Sequence, residues 1–376
     1  MTFSKYLLND QDAITRIFEH IDNGSTDLGD EIWKEPVGNY YSLDRFNQEI
    51  DLLRNMPIPF CPSAAIAEPG SYLARKASGT PILAVRNEDG AVKAFINACK
   101  HRGMQVAEGM GCNKKAFVCP YHAWTYDLNG NLKRIPGQEG FPGIKLDETN
   151  LHEVDAAEKG GIVYIKQNGK INKSELENAL DFFTRDQELF DTGEVTDNTN
   201  WKLITETLLE GYHIRSLHKN TFYPYGLDNI NLVESYGLNS RVIFPFKRIE
   251  KLRNIDPGKR NISGMVTKVY HLFPNVSVSV LSKHTSLTII EPISPTRAKL
   301  ISYLLINNQK DQKEITLEEA KKDAIFVNES GQAEDRAAAV AIQETVSTKA
   351  NNHLTFGYFE KAIVNFHKNL SNMLKL

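Results

Sequence analysis

Cys99-Lys100-His101 and, after seventeen intervening residues, Cys119-Pro120-Tyr121-His122 decide how the rest of this chain is read. Two cysteines and two histidines suit a tetrahedral zinc ion, because thiolate and imidazole both bind that ion well. Zinc-finger spacing, however, pairs the cysteines together and the histidines together. Here each short motif supplies one of each. That arrangement fits a [2Fe–2S] cluster with unlike irons, one held by two thiolates and the other by two imidazoles. Neutral imidazoles in place of two anionic thiolates raise the potential of such a cluster.

The flanks extend the pattern. Arg102-Gly103 follows the first pair, and Trp124-Thr125-Tyr126 follows the second and leads into the turn Asp127-Leu128-Asn129-Gly130. The run CKHRG…CPYHAWTY resembles the Rieske cluster-binding motif of ring-hydroxylating oxygenases. It differs from the respiratory-complex variant, which carries a second Cys inside the CPxH loop where this chain has Tyr121. The resemblance implies that Cys99, His101, Cys119 and His122 bind a Rieske [2Fe–2S] cluster. Cys112 reads as a free thiol without a role, and Cys61 as a small apolar residue. Four cysteines in 376 residues make no disulfide framework.

Outward from the cluster motif, residues 58–167 are short apolar runs divided by Gly, Pro, Asn and Asp. Ile82-Leu83-Ala84-Val85 and Gly161-Ile162-Val163-Tyr164-Ile165 are examples. That spacing predicts a small antiparallel β domain. Upstream, residues 10–55 read as two helical pieces separated by the turn formers Asp22-Asn23-Gly24-Ser25. Downstream, residues 171–191 read as helical, and a further helix is expected near Trp201–Tyr212. The strict alternation of Val276-Ser277-Val278-Ser279-Val280 marks a strand with one buried face. Helices at about 316–346 and 355–373 close the chain.

The expected fold class is therefore α+β. Its parts are a helical segment over 1–56 that packs on the catalytic domain, an antiparallel-β Rieske domain over 57–170, and a catalytic domain over 171–376. For the last, the resemblance implies a helix-grip (START-like) fold with an antiparallel sheet and long C-terminal helices.

A second constellation runs from Asn200 to His218 as NWKLITETLLEGYHIRSLH. Two histidines five apart on an ideal helix, which turns about 100° per residue, would point roughly 140° apart. Both can face one ion only if the helix widens or ends between them. The pattern NWKxxxExxxExYHxxxxH matches the iron-binding segment of the same oxygenases, at the expected distance after the cluster motif. An oxygen-activating non-haem iron takes two imidazoles and one carboxylate, with positions left open. The resemblance makes His213 and His218 the imidazoles. It also places the carboxylate late in the chain, where Glu334-Asp335-Arg336…Gln343 points to Asp335, with Glu334 and Asp323 as substitutes.

Glu210 lies three residues before His213, so the two side chains share a helix face. In the family an acidic residue here links a cluster histidine of the adjacent subunit to an iron histidine of its own. Carried over, electrons pass from His122 through Glu210 to His213, and the chain is a homotrimer; nothing in the sequence requires a β subunit. Many aromatic-ring dioxygenases have Asp at this position, whereas Glu is familiar in amine-oxidising and other homotrimeric relatives. Glu206 is the other candidate, but its spacing to His213 is less suitable.

Charge and composition narrow the function classes. A formal net charge of -3 leaves no basic excess to neutralise nucleic-acid phosphates. No apolar run approaches the roughly 18 residues of a membrane span, and the charged N-terminus does not read as a secretory signal, so a cytoplasmic location is expected. The resemblance implies a terminal oxygenase that uses O₂, a mononuclear Fe(II) and electrons from NAD(P)H. Lacking a GxGxxG fingerprint, the chain would receive those electrons through a separate reductase or ferredoxin. Phe222, Tyr223, Tyr225, Phe244, Phe246 and Phe273 supply aromatic surface near the iron segment, and Lys247, Arg248 and Arg253 supply positive charge. The expected substrate is aromatic or alicyclic. The alternative is a quaternary amine or an N- or O-methyl group removed oxidatively. A Rieske electron carrier without substrate chemistry is the reading from another class, and the second domain speaks against it.

Overall fold

The apolar runs between Ile58 and Lys166 pair into a seven-stranded antiparallel sheet. Its order is Ile58–Pro62, Ile162–Lys166, Glu153–Lys159, Val92–Ile96, Thr80–Arg86, Tyr72–Ala77, Gly109–Gly111. A three-stranded sheet of Phe117–Val118, Thr125–Tyr126 and Leu132–Arg134 carries the second Cys-His motif. Phe95, Phe117, Trp124, Tyr126 and Leu132 are buried together with both motif cysteines. The computed structural model describes residues 7–307 and 314–375. These elements belong to a unit spanning Ile50–Gln187; the chain up to Glu49 and from Glu188 onward forms a second unit.

The segment 171–191 does not form the expected helix. Only Lys173–Leu176 makes a 3-10 turn, and the chain then runs on to the strand Leu189–Asp197. Tertiary contacts override the local pattern. The Gly160 carbonyl accepts the Phe182 N–H at 2.9 Å, and a Cβ on Gly160 or Gly161 would lie 1.9 Å from Leu180 O or 2.1 Å from Phe183 O. Both glycines have positive φ, at 59° and 76°. This close backbone approach holds residues up to Gln187 with the first unit.

In the second unit the helices are α1 (Asp10–Asn23), α2 (Leu43–Asn55, within which the division at Glu49/Ile50 falls), α3 (Trp201–Thr207), α4 (Ile214–Leu217), α5 (Leu317–Val327), α6 (Ala333–Val346) and α7 (Lys361–Leu374). α1 starts at Asn9, whose side chain accepts from Gln11 N and Asp12 N, and ends at Gly24 in the left-handed region. Ala13, Ile14, Ile17 and Phe18 of α1 are buried with Leu232, Ile243 and Ile249. The seven-stranded antiparallel sheet of this unit has the order Leu189–Asp197, Arg297–Ile306, His284–Ser294, Val276–Val280, Val266–Leu272, Asn239–Pro245, Leu232–Tyr236. α3 packs on α6 and on the strand His284–Ser294, and α7 packs on the last two strands of that order. The α+β class is thus observed.

Three expected helices differ from the prediction, two by being shorter and one by being interrupted. The one near 201–212 stops at Thr207, and the one over 316–346 is interrupted by a π-helical turn at Asn328–Gln332. The last begins at Lys361, because His353–Phe356 pairs as a strand with Trp33–Pro36. Among the described residues no helix is long and apolar enough to cross a membrane.

Candidate metal centres

The two Cys-His motifs fold into matching loops. In the first, Cys99 N donates to Met104 O and Gly103 N to Cys99 O, both at 2.8 Å. The second repeats the pattern, with Cys119 N to Trp124 O at 2.8 Å and Ala123 N to Cys119 O at 2.9 Å. The fourth residue after each cysteine is left-handed, Gly103 at φ 76° and Ala123 at φ 57°. Glycine takes that conformation freely; Ala123 is strained there and is held by the loop around it.

These loops sort the donors by type. Cys99 and Cys119 are each 3% exposed and their thiols lie within hydrogen-bond reach of one another. Burial pushes the Cys99 thiol up, and Tyr126 Oη, 3.3 Å from its sulfur, works against that shift. Tyr126 also accepts the Lys100 N–H at 2.9 Å, which ties the first loop to the second sheet. The imidazoles lie toward the surface, with His101 and His122 ring centroids 4.5 Å apart. His101 stacks on Trp124 at 5.0 Å, and His122 lies against Tyr121 at 3.9 Å. The thiols lie together and the imidazoles lie together, the sorting by which a two-iron cluster with unlike irons is held, so the residues present fit that group.

In the second unit α3 is anchored at its start. The Asn200 side chain caps it by accepting from Lys202 N at 3.0 Å. Lys202 Nζ and Trp201 Nε1 both donate to Glu49, at 2.7 and 2.8 Å. Lys202 and Glu49 are fully buried, a paired arrangement without which either charge would be costly. Glu206 is turned to Tyr40 Oη at 2.8 Å and His367 Nε2 at 2.9 Å, which removes it as the partner of His213.

The helix then ends, and that ending brings the two histidines together. A Cβ on Gly211 would lie 2.7 Å from the Asn231 side-chain amide, so any larger residue at this turn would have to displace that amide. The Glu210 carboxylate accepts the backbone N–H groups of Tyr212 and His213, the latter at 3.1 Å. Its other oxygen is bonded to His213 Nδ1. His213 and His218 sit at the two ends of α4, as its N-cap and C-cap residues.

His213 Nε2 lies 3.1 Å from His218 Nε2 and 3.4 Å from Asp335 Oδ1, and His218 Nε2 lies 3.0 Å from Asp335 Oδ1. Metal–ligand bonds of about 2.1 Å meeting at right angles span edges of about 3.0 Å, so this triangle suits one face of an octahedral ion. It is the one such donor group found among the described residues. Burial works to lower the pKa of His213, but its bonds to Asp335 and Glu210 outweigh burial and lift it to about 10. Burial likewise tends to raise Asp335, whose bonds to both imidazoles hold it low instead. Positive charge is therefore favoured between these donors, where a metal ion takes the place of protons.

Of the two substitutes for Asp335, neither reaches this point. Glu334 Oε2 is 2.7 Å from His218 Nδ1, on the far side of the ring, and also accepts the Thr221 hydroxyl at 2.7 Å. Asp323 binds Lys283 N and His284 Nδ1. The role of Glu334 behind His218 was not legible from spacing alone, since 116 residues separate the two.

His213, His218 and Asp335 all line a cavity of about 520 Å³, as do Phe222, Tyr225, Phe244 and Phe246. Tyr223 and Phe273 are not part of that wall: Tyr223 O accepts from Lys247, and Phe273 packs on Phe366. Lys247 and Arg248 line the cavity, while Arg253 pairs with Glu250 and Asp22.

Comparison with known proteins follows this division. Residues 56–171 match the Rieske [2Fe-2S] domain family, and residues 189–376 match the family described as ring hydroxylating alpha subunit (catalytic domain). The carnitine monooxygenase oxygenase subunit of Escherichia coli (strain K12) is 30% identical over 197 residues, 50% of this chain and 53% of that protein. The chain thus spans about half the length of that relative. The chloroplastic choline monooxygenase of Spinacia oleracea is 26% identical over 327 residues, 83% of this chain and 72% of that one. A quaternary ammonium Rieske monooxygenase solved with L-carnitine shares the fold, with a TM-score of 0.77 at 19% identity, covering 98% of this chain and 99% of the other.

Proposed function

The chain belongs to the Rieske oxygenase alpha-subunit family, and from that premise we propose that it is the terminal oxygenase of a multicomponent system that hydroxylates an organic substrate. Cys99, Cys119, His101 and His122 would hold the [2Fe–2S] cluster, and His213, His218 and Asp335 a mononuclear Fe(II). When bound, these groups supply one-electron transfer and oxygen activation, which side chains alone do not provide. The observation that carries this reading is the triangle of two imidazoles and a carboxylate, with edges of 3.0 to 3.4 Å, on the wall of a largely apolar cavity.

The protein's own groups prepare that triangle. Glu210 and Glu334 each bind the Nδ1 of one histidine, which fixes the ring and leaves Nε2 to face the ion. The Asp335 carboxylate offsets part of the charge of a divalent ion. Phe222, packed 5.0 Å from the His218 ring, helps keep water from the site.

Electrons would come from NAD(P)H through a separate reductase or ferredoxin. We further propose a homotrimer, in which a neighbour's cluster histidine reaches Glu210; Tyr212 beside it is 60% exposed and accessible to a neighbour. Light scattering tests that state by its mass.

Two substrate classes suit the cavity. An aromatic or alicyclic ring suits the wall of Phe222, Phe244 and Phe246. A methylated amine suits the same rings through cation–π attraction, and the carnitine and choline monooxygenases act on that class by name. Hydroxylation of an N-methyl carbon would release it as formaldehyde. Turnover under ¹⁸O₂ with a generic reductase tests the oxygenase reading. Labelled oxygen in a product, dependent on NAD(P)H, supports it. Reduction of both metal centres with no label in any product from a broad panel speaks against it.

A further inference from the structure

Three carboxylates line the cavity, and two of them, Glu210 and Asp335, are committed to the imidazoles of the metal centre. The third is Asp323. Its Oδ2 accepts Lys283 N at 2.9 Å and lies 2.8 Å from Nδ1 of His284, a buried residue at the start of the strand His284–Ser294. Both contacts engage the same oxygen, so the carboxylate is fixed in orientation while Oδ1 has no hydrogen-bond partner among the described residues.

Phe326 and Val327, three and four residues further along α5, line the same cavity, as residues on one helix face do. Phe222 and Tyr225 meet the Phe326 ring at centroid distances of 6.0 and 5.9 Å. Phe222 in turn lies against His218. An aromatic cluster therefore extends from the metal centre to the helix that carries Asp323.

The basic residues of the wall have other partners. Arg248 donates to Gly264 O and Ser282 Oγ and lies over the Phe246 ring, and Lys247 donates to the carbonyls of Tyr223 and Pro224. Neither forms an ion pair with Asp323 among the described residues.

A neutral hydrocarbon in this space would strip water from a carboxylate oxygen and return nothing. A trimethylammonium head satisfies both features: the carboxylate and the ring faces attract its charge, and its methyl groups fill the apolar volume. Resting on the oxygenase reading of the cavity, we infer that Asp323 is a specificity-determining residue that selects substrates bearing a methylated, positively charged nitrogen.

Matched ligands that differ only in charge test this. Purified full-length protein, loaded with iron and cluster, is titrated anaerobically by calorimetry with two pairs. The first is choline and 3,3-dimethylbutan-1-ol; the second is (3-carboxypropyl)trimethylammonium and 5,5-dimethylhexanoate. In at least one pair the ammonium compound is expected to bind tenfold or more tighter than its carbon isostere. Asp323→Asn is expected to cut that ratio at least fivefold, with iron content and visible spectrum unchanged. Asp323→Ser serves as the second variant if the first does not fold. A wild type without the tenfold preference in either pair, or a folded variant whose ratio falls by less, overturns the inference. Because binding is read without turnover, tight cation binding by an inactive protein would count against the oxygenase reading alone.

Discussion

The Nε2 atoms of His213 and His218 lie 3.1 Å apart although the residues are five positions apart in sequence. An uninterrupted helix would direct them roughly 140° apart. The chain resolves this by ending α3 at Thr207 and restarting at Ile214, with Glu210 taking up backbone N–H groups freed in between. The residue that orients His213 through Nδ1 is thus also the residue that stabilises the break.

Asp335→Ala removes one corner of the triangle and leaves two imidazoles. Iron content should fall from about three to about two per chain, with the cluster spectrum intact. Retention of the third iron in this variant would assign the carboxylate ligand elsewhere.

Glu334 never touches the ion, yet it sets the ring of His218. Glu334→Ala should weaken mononuclear iron binding about 10- to 100-fold, the usual effect of losing such a partner. Glu334→Gln, which can still accept a hydrogen bond at this position, should recover most of that loss. Competition with a chelator measures both, and equal affinities for wild type and Glu334→Ala would rule the role out.

Gly331 lies in the π-helical turn before α6, where an added Cβ would come within 1.8 Å of the Phe222 ring. Phe222 packs on both His218 and Phe326 and cannot yield without disturbing them. Gly331→Ala should therefore destabilise the protein by about 1–3 kcal/mol, seen as a lower Tm. Adding Phe222→Leu should relieve part of that cost; additive losses in the double variant would show that the two residues do not conflict.

His271 is fully buried, and that burial depresses its pKa from the usual 6.5 to about 4, against a bond to Pro274 O. Between those values the unfolded chain holds a proton that the folded chain does not. Stability is then fully present above about pH 6.5 and falls as pH drops toward 4, by up to roughly 3 kcal/mol. Thermal unfolding from pH 7.5 to 5 should show a smaller slope in His271→Gln, and an unchanged slope would place the loss in other groups.

Much of the fold was legible because its signals are local. Cys99, His101, Cys119 and His122 stand close in sequence, and alternation such as Val276–Val280 marks a strand directly. Glu210 and His213 were legible for the same reason. What stayed hidden depends on distant partners. The chain between Leu176 and Leu189 looked helical, but it runs as irregular coil and turns, with its backbone packed on Gly160 and Gly161. The turn at Asn328–Gln332 and the place of Glu334 behind His218 likewise arise from contacts over more than a hundred residues. Lys202 and Glu49 form a buried pair that no spacing rule announces.

Iron and acid-labile sulfide, counted per chain in the reconstituted protein, test the central claim most directly. A cluster together with a mononuclear ion gives about three irons and two sulfides, with the third iron lost selectively in His213→Ala. Two irons and two sulfides that His213→Ala leaves unchanged, or a colourless protein that holds zinc, would contradict it.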